Sequence, residues 1–329
     1  MAGVARVASV LAALVVGAAS SLSASAQDGP KDWPTKPVRI LVGFGPGGGT
    51  DIVARILAQP LSELLGQPVV VENKPGAAGT TATDVLAKSA KDGYTAALLS
   101  GGHSVAAVMY KSLPYDSVKD IEAVSMVATA AFAVAANKDG GLDSLKAVVA
   151  KAKAEPGKLN YATIGVGSTQ HFSAELLRQL AGIDIKHIPY RNSPAAIAAL
   201  RSKEVDLLFD TVQAVLGQLK GGDLKALAVT SAQHWPALPE VPTVAEQGVA
   251  GYEVNTWYGM ALPAGTPAPI VDKFNKALKD VLGRETVRKQ IADAGAIAKS
   301  STPKEFGDYV ASEVVKWKSV RDQAGIQPQ

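Results

Sequence analysis

The chain has 329 residues, 47% hydrophobic and 19% charged, with 33 Lys and Arg against 30 Asp and Glu. That length corresponds to about two domains, and the balance fills ordinary globular cores, which excludes disorder, collagen or coiled coil as a description of the whole. A net charge of +3 without a basic block argues against a nucleic-acid partner, and the lack of cysteine removes thiolate metal sites, cysteine nucleophiles and disulfides.

In chain order, residues 1–26 read as a signal peptide. Met1–Val7 carries Arg6 and no acid, Ala8–Ala19 is apolar, and Ala24-Ser25-Ala26 forms an exit before Gln27. The apolar run falls well short of the ~20 residues a membrane-spanning helix needs. The expectation is export to a periplasm, with no membrane insertion after cleavage.

Val38–Phe44, Pro68–Glu72 and Thr95–Ser100 then read as short buried strands bounded by Gly, Pro and Asn. Asp51–Leu65 between them shows one apolar helical face, with Pro60 expected to kink or interrupt it. Thr81–Ala90 reads as a second helix, so the order implies a parallel sheet with right-handed crossovers. Val124–Asn137 reads as strand leaving this sheet for a second one, and Thr256–Leu262 as a second crossing. The second sheet takes Leu159–Gly165, Ile183–Ile188, Val205–Asp210 and Leu224–Thr230, with helices at Gln170–Leu180, Pro194–Arg201 and Val212–Lys220. Helices at Ala268–Leu282, Glu285–Ala294 and Pro303–Ala324 complete the chain. The fold class is α/β: two domains with a hinged cleft between them, the first of residues 30–128 and 256–329, the second of 129–255. Ligands bind beyond the carboxyl ends of such strands.

Two glycine loops face that cleft. Gly43-Phe-Gly-Pro-Gly-Gly-Gly-Thr-Asp51 follows a strand and opens a helix, with Thr50 as the expected N-cap. Glycines admit a ligand to the backbone, and the free amides and dipole of a helix start attract phosphate or carboxylate. Gly165-Val-Gly-Ser-Thr-Gln-His171 has the same context in the second sheet, with Ser168 or Thr169 able to cap. Either loop also reads as an ordinary βα turn.

Two enzyme readings compete. Gly43, Gly45 and Gly48, with Glu72 ending the next strand, outline a dinucleotide fingerprint, although Pro46 removes an amide. Ser168 with His171 or His103 suggests an exported hydrolase, but G-V-G-S-T lacks the G-x-S-x-G elbow.

The residues also carry a resemblance. Trp33-Pro-Thr-Lys-Pro-Val-Arg39, G-P-G-G-G-T-D-I-V-A-R (45–55), G-Q-P-V-V-V-E-N-K-P-G (66–76), D-G-Y-T (92–95) and L-P-Y-D (113–116) resemble the substrate-binding receptors of tripartite tricarboxylate transporters, the Bug family. P-G-K-L-N-Y-A (156–162), A-L-A-V-T-S (226–231), L-P-E-V-P-T-V-A-E (238–246) and L-P-A-G-T-P (262–267) continue the match in the family's order. The resemblance implies a periplasmic binding protein-like fold of type II. It further implies a monomeric solute receptor that closes like a flytrap on a small organic carboxylate. The partner would be the membrane components of a secondary transporter or, in some relatives, a sensor. No cofactor, metal or catalytic residue is implied.

Carried onto this chain, the carboxylate loops are Phe44, Gly45, Pro46, Gly47, Gly48, Gly49, Thr50 and Asp51, then Ile164, Gly165, Val166, Gly167, Ser168, Thr169 and His171. Two departures stand out. Gly45 occupies a position commonly proline, and Pro189-Tyr190-Arg191-Asn192-Ser193 replaces the usual Pro-Tyr-Lys-Gly-Gly.

Arg191 could pair bidentately with a distal carboxylate or be an ordinary surface arginine. Asn192 sits beside it. Asp210 could order waters or accept from the ligand, or only cap the helix from Val212. Ser100 and His103 end the third strand, where the histidine could donate to an oxyanion or merely occupy a loop. His171 could equally be capping or packing, His187 reads as a core residue, and Trp257 as an aromatic wall or core packing.

Overall fold

Short aliphatic runs become the buried strands of two mixed sheets. The computed structural model describes residues 32–323 and 325–328; the expected signal peptide lies outside the described residues. Strands β1 (Val38–Val42), β2 (Val69–Asn73) and β3 (Thr95–Ser100) run parallel with β1 in the middle, Ile40 lying opposite Val71 and Ala96. Helices α1 (Gly49–Leu65) and α2 (Thr80–Ala87) make the crossovers, and α3 (Gly102–Met109) follows β3. Helix α1 buries Val53, Leu57 and Leu61 and runs through Pro60 without interruption. Its apolar face is anchored on both sides of the proline, and that packing outweighs one lost backbone bond.

Strand β4 (Ile121–Asn137) serves both sheets. Further on come α4 (Leu145–Ala154), β5 (Asn160–Thr163), α5 (Thr169–Ala181), β6 (Lys186–Pro189), α6 (Ser193–Arg201), β7 (Leu207–Thr211), α7 (Val212–Lys220) and β8 (Leu224–Val229). The second sheet places β5 between β6 and β7 in parallel, and Phe132–Asn137 of β4 lies antiparallel between β7 and β8.

Strand β9 (Asn255–Pro263) lies antiparallel between β3 and the Ile121–Ala131 part of β4, wholly in the first sheet. The return crossing comes just before it, where the Val254 amide donates to the Thr230 carbonyl at 2.9 Å. The first sheet is therefore parallel only in β1, β2 and β3. Helices α8 (Ala268–Gly283) and α9 (Glu285–Asp293) cover it, and β10 (Ile297–Ala298) edges β4.

Helix α10 (Pro303–Gln323) spans both halves. Phe306 and Val310 join the cluster around Leu41 and Trp257, whereas Trp317 packs edge-on against Phe172 at 5.2 Å between ring centres.

Candidate functional site

The first loop is shaped by its own helix. Gly47 adopts the left-handed φ of 84°, extended Gly48 occupies the cap position, and the helix begins at Gly49. Thr50 is thus inside the helix, not its N-cap. Asp51 reaches back instead, accepting the Gly47 amide at 3.0 Å together with Arg55 Nε at 3.0 Å and Asn73 Nδ2 at 2.9 Å. Asn73 also donates to the Phe44 carbonyl at 3.0 Å, stitching the loop to the end of β2. Burial alone would raise the Asp51 carboxyl, but Arg55, Gly47 and Asn73 outweigh it and hold it below the usual range. Asp51 therefore braces the loop with its carboxylate already occupied.

The second loop repeats the layout. Gly167 has φ 77°, extended Ser168 caps α5 by accepting the His171 amide at 3.2 Å, and His171 Nδ1 accepts the Gly167 amide at 3.2 Å. His171 stacks on His187 with centroids 4.2 Å apart, and His187 stacks in turn on Tyr161. Glu175, held by Tyr161 and Arg178, lies 3.8 Å from His171 Nε2. Burial lowers the pKa of His171, and burial with His171 as a neighbour lowers that of His187 to about 4. Both rings are neutral at pH 7, and His187 is more than the packed core residue its strand pattern suggested.

Between the loops lies a small cavity of about 20 Å³. Phe44, Gly48, Gly49, Thr50 and Ser100 line it from one side, and Ile164 and Thr169 from the other. Phe132, Gln170, Thr211, Thr256 and Tyr258 complete the wall. Helix geometry leaves the amides of Gly49, Thr50, Thr169 and Gln170 without intrahelical acceptors, and two N-terminal dipoles converge on the same space. The buried hydroxyls of Thr211 and Tyr258 have no hydrogen-bond partner, a deficit a bound polar group would relieve.

The halves meet across this cavity. A Cβ on Gly45 would lie 2.8 Å from Asn192 Cβ, and one on Gly47 3.1 Å from Pro194 Cγ. Gly45 is thus the residue that lets the first loop approach the larger Asn192, matching the two sequence departures. Pro46 is exposed, Val166 offers its carbonyl to Tyr110, and Gly165 has φ 134°.

The remaining predicted residues separate. Asn192 caps α6 through the Ala195 amide, and Arg191 is exposed and does not line the cavity. Asp210 is fully buried, with Oδ1 accepting Gln170 Nε2 at 3.2 Å and the Thr211 amide at 2.7 Å, and Oδ2 unpartnered. Burial raises its pKa against the opposing effects of Ser193, Gln170 and Thr211. It does not itself line the cavity.

His103 is not in a loop but in α3, buried, with Nε2 at 2.7 Å from the Ser117 carbonyl. Trp257 faces away from the cavity, against Phe306 and Tyr309, and the opposite face of β9 presents Tyr258. Glu72, the acid of the dinucleotide outline, is engaged by Arg39 and Lys74. Among the described residues no three His, Asp or Glu side chains could hold a metal ion together.

Two α/β halves that share strands and clasp a polar cavity between helix N-termini define a periplasmic binding protein fold. The solved periplasmic binding protein BugD superimposes with a TM-score of 0.87 at 34% identity, covering 90% of this chain and all of that one. Rpa4515 of R. palustris, solved with adipate, gives 0.87 at 34% over the same shares. BugT of Bordetella pertussis is 36% identical over 298 residues, 90% of this chain and 91% of its own. The profile described as tripartite tricarboxylate transporter family receptor matches residues 53–326. The chain belongs to that receptor family, as its motifs implied.

Proposed function

We propose that this chain is a periplasmic receptor that captures a small carboxylate and delivers it to the membrane components of a tripartite tricarboxylate-type transporter, without catalysis. The observation that carries this reading is the convergence of four free helix-start amides, from both halves, on one cavity. Such amides recognise the carboxylate and leave the rest of the ligand to the walls. The adipate held by Rpa4515 supports a small organic carboxylate as the ligand class, with dicarboxylates and aromatic carboxylates as the members to test first.

The ligand docks first on the Gly45–Asp51 loop, and closure of residues 129–255 over the other domain adds Ile164–His171. Those added contacts favour the closed state. Residues 1–26 direct export and are removed. Among the described residues no helix is long and apolar enough to cross a membrane.

The hydrolase alternative is disfavoured by geometry. Ser168 Oγ donates to the Gly165 carbonyl at 2.7 Å, and His171 Nδ1 accepts a hydrogen bond from the Gly167 amide instead of from the serine. A thermal-shift panel of carboxylates on the mature chain tests the proposal, with stabilisation of ~2.7 kcal/mol expected at a hundredfold excess over Kd. Turnover of carboxylate esters without stabilisation by any acid would overturn it.

A further inference from the structure

A second cavity adjoins the first. It offers about 20 Å³, room for one water-sized group, within the first half, between the ends of β1 and β3, the start of α2, and α3. Phe44 and Ser100 belong to the walls of both cavities. The Phe44 ring lies between two glycines: a Cβ on Gly79 would be 3.3 Å from it, and one on Gly102 3.5 Å. The half-buried ring fills the room that those absent side chains leave and stands at the boundary of the two spaces.

The polar groups of the second cavity are specific. A backbone carbonyl only accepts, so the 2.7 Å contact with Ser117 puts the His103 proton on Nε2. Burial lowers the pKa of this ring and keeps it neutral. Its Nδ1 is then a bare acceptor, buried and without a partner. Tyr115 stacks nearly parallel to it at 6.1 Å, its buried hydroxyl likewise unpartnered, with the Thr83 hydroxyl nearby. Leu41, Ala82, Ala97, Leu99 and Ala106 supply apolar wall, and among the described residues no Lys or Arg lines the space.

We propose that this cavity is the receptor's distal pocket, and that it takes the uncharged hydroxyl of a hydroxy-carboxylate whose acid end sits on the glycine loops. The proposal rests on the carboxylate-receptor reading. A hydroxyl donates to His103 Nδ1 and accepts from Tyr115 or Thr83, which satisfies both kinds of group at once. A second carboxylate would enter without a counter-charge and lose its hydration. Phe44 is the partition that the distal end displaces.

The test is calorimetry on the mature chain with hexanoate, 6-hydroxyhexanoate and adipate, alongside succinate and benzoate. The hydroxy acid is expected to bind ~10-fold more tightly than hexanoate, about one well-made hydrogen bond, and more tightly than adipate. His103→Leu and, separately, Tyr115→Phe should shrink that advantage to about twofold or less while leaving hexanoate binding unchanged. Should His103→Leu fail to fold by circular dichroism, Tyr115→Phe, which removes one oxygen, decides alone. Binding of the acids with adipate preferred, or with no hydroxyl advantage, overturns the distal pocket and leaves the receptor reading standing. Binding of none of the five overturns both.

Discussion

The two βα loops achieve one geometry with different chemistry. Gly47-Gly48-Gly49-Thr50-Asp51 and Gly167-Ser168-Thr169-Gln170-His171 each begin with a left-handed glycine, continue through an extended cap residue, and close when the fifth side chain accepts the first residue's amide. The first closes on a carboxylate stabilised by Arg55 and Asn73, the second on a neutral imidazole stacked against another. Matching backbone shape with different latches means that the loops offer the same cradle but respond differently to substitution and to acid.

The largest difference concerns the third position. A Cβ on Gly49 would stand 2.3 Å from the Tyr258 hydroxyl and 2.7 Å from Thr211 Oγ1, whereas the corresponding Thr169 already carries a side chain. Gly49→Ala is therefore expected to hold the cleft open and lower carboxylate affinity ~100-fold, about 2.7 kcal/mol. Thr169→Gly should cost at most a few-fold. Titration calorimetry checks both, and equal effects would mean that the loops are interchangeable.

The latches differ next. Asp51→Ala strips partners from Gly47, Arg55 and Asn73 at once and should destabilise the protein by about 2 kcal/mol in urea unfolding. His171→Ala frees one amide and removes ring packing, for about 1 kcal/mol. A larger loss at His171 would reverse the ranking.

Much of this scaffold was legible beforehand. Strands and most helices followed from aliphatic runs and glycine punctuation, and the loops announced themselves by glycines beyond what a turn requires. Helix α3 did not: it is buried on nearly every side and starts without a side-chain cap, so it shows neither amphipathic period nor start signal. The braces Arg55 and Asn73 stood inside the quoted motifs, but only the β1–β2 register brings Asn73 to Asp51. Trp257 and Tyr258 are adjacent on a strand and must face opposite ways. Which of them meets the cleft depends on which face of the sheet α10 covers, a fact of tertiary packing.

Acid separates the loops further. His171 and His187 have folded pKa values below the usual ~6.5, so the unfolded chain binds more protons in that range. Their contribution to stability is full above ~6.5 and is lost as the pH falls toward about 4. The charged groups beside the pair are Glu175, which favours protonation, and Arg178, which opposes it. Asp51 is held below its ordinary value of 3.8, so its contribution is present above that value and is lost only below it. Affinity should therefore fall about threefold to tenfold between pH 7 and 4 as the second loop slackens, roughly the worth of one hydrogen bond. His171→Asn places an uncharged acceptor at the same branch point and should flatten that profile while leaving neutral-pH affinity nearly unchanged. An unaltered profile in the variant would place the acid response elsewhere.

The smallest effect concerns the cavity wall that the loops share. Tyr258 and Thr211 each hold a buried hydroxyl with no partner. Leaving such a group unsatisfied costs about 1–3 kcal/mol, whereas replacing it by an apolar group of the same shape is nearly neutral or stabilising. Tyr258→Phe should thus leave the ligand-free protein unchanged or slightly more stable and weaken carboxylate binding about threefold to tenfold. Opposite signs are the signature of a hydroxyl kept for the ligand. Loss of stability on removing it would show that Tyr258 serves the fold, leaving recognition to the amides of the two loops.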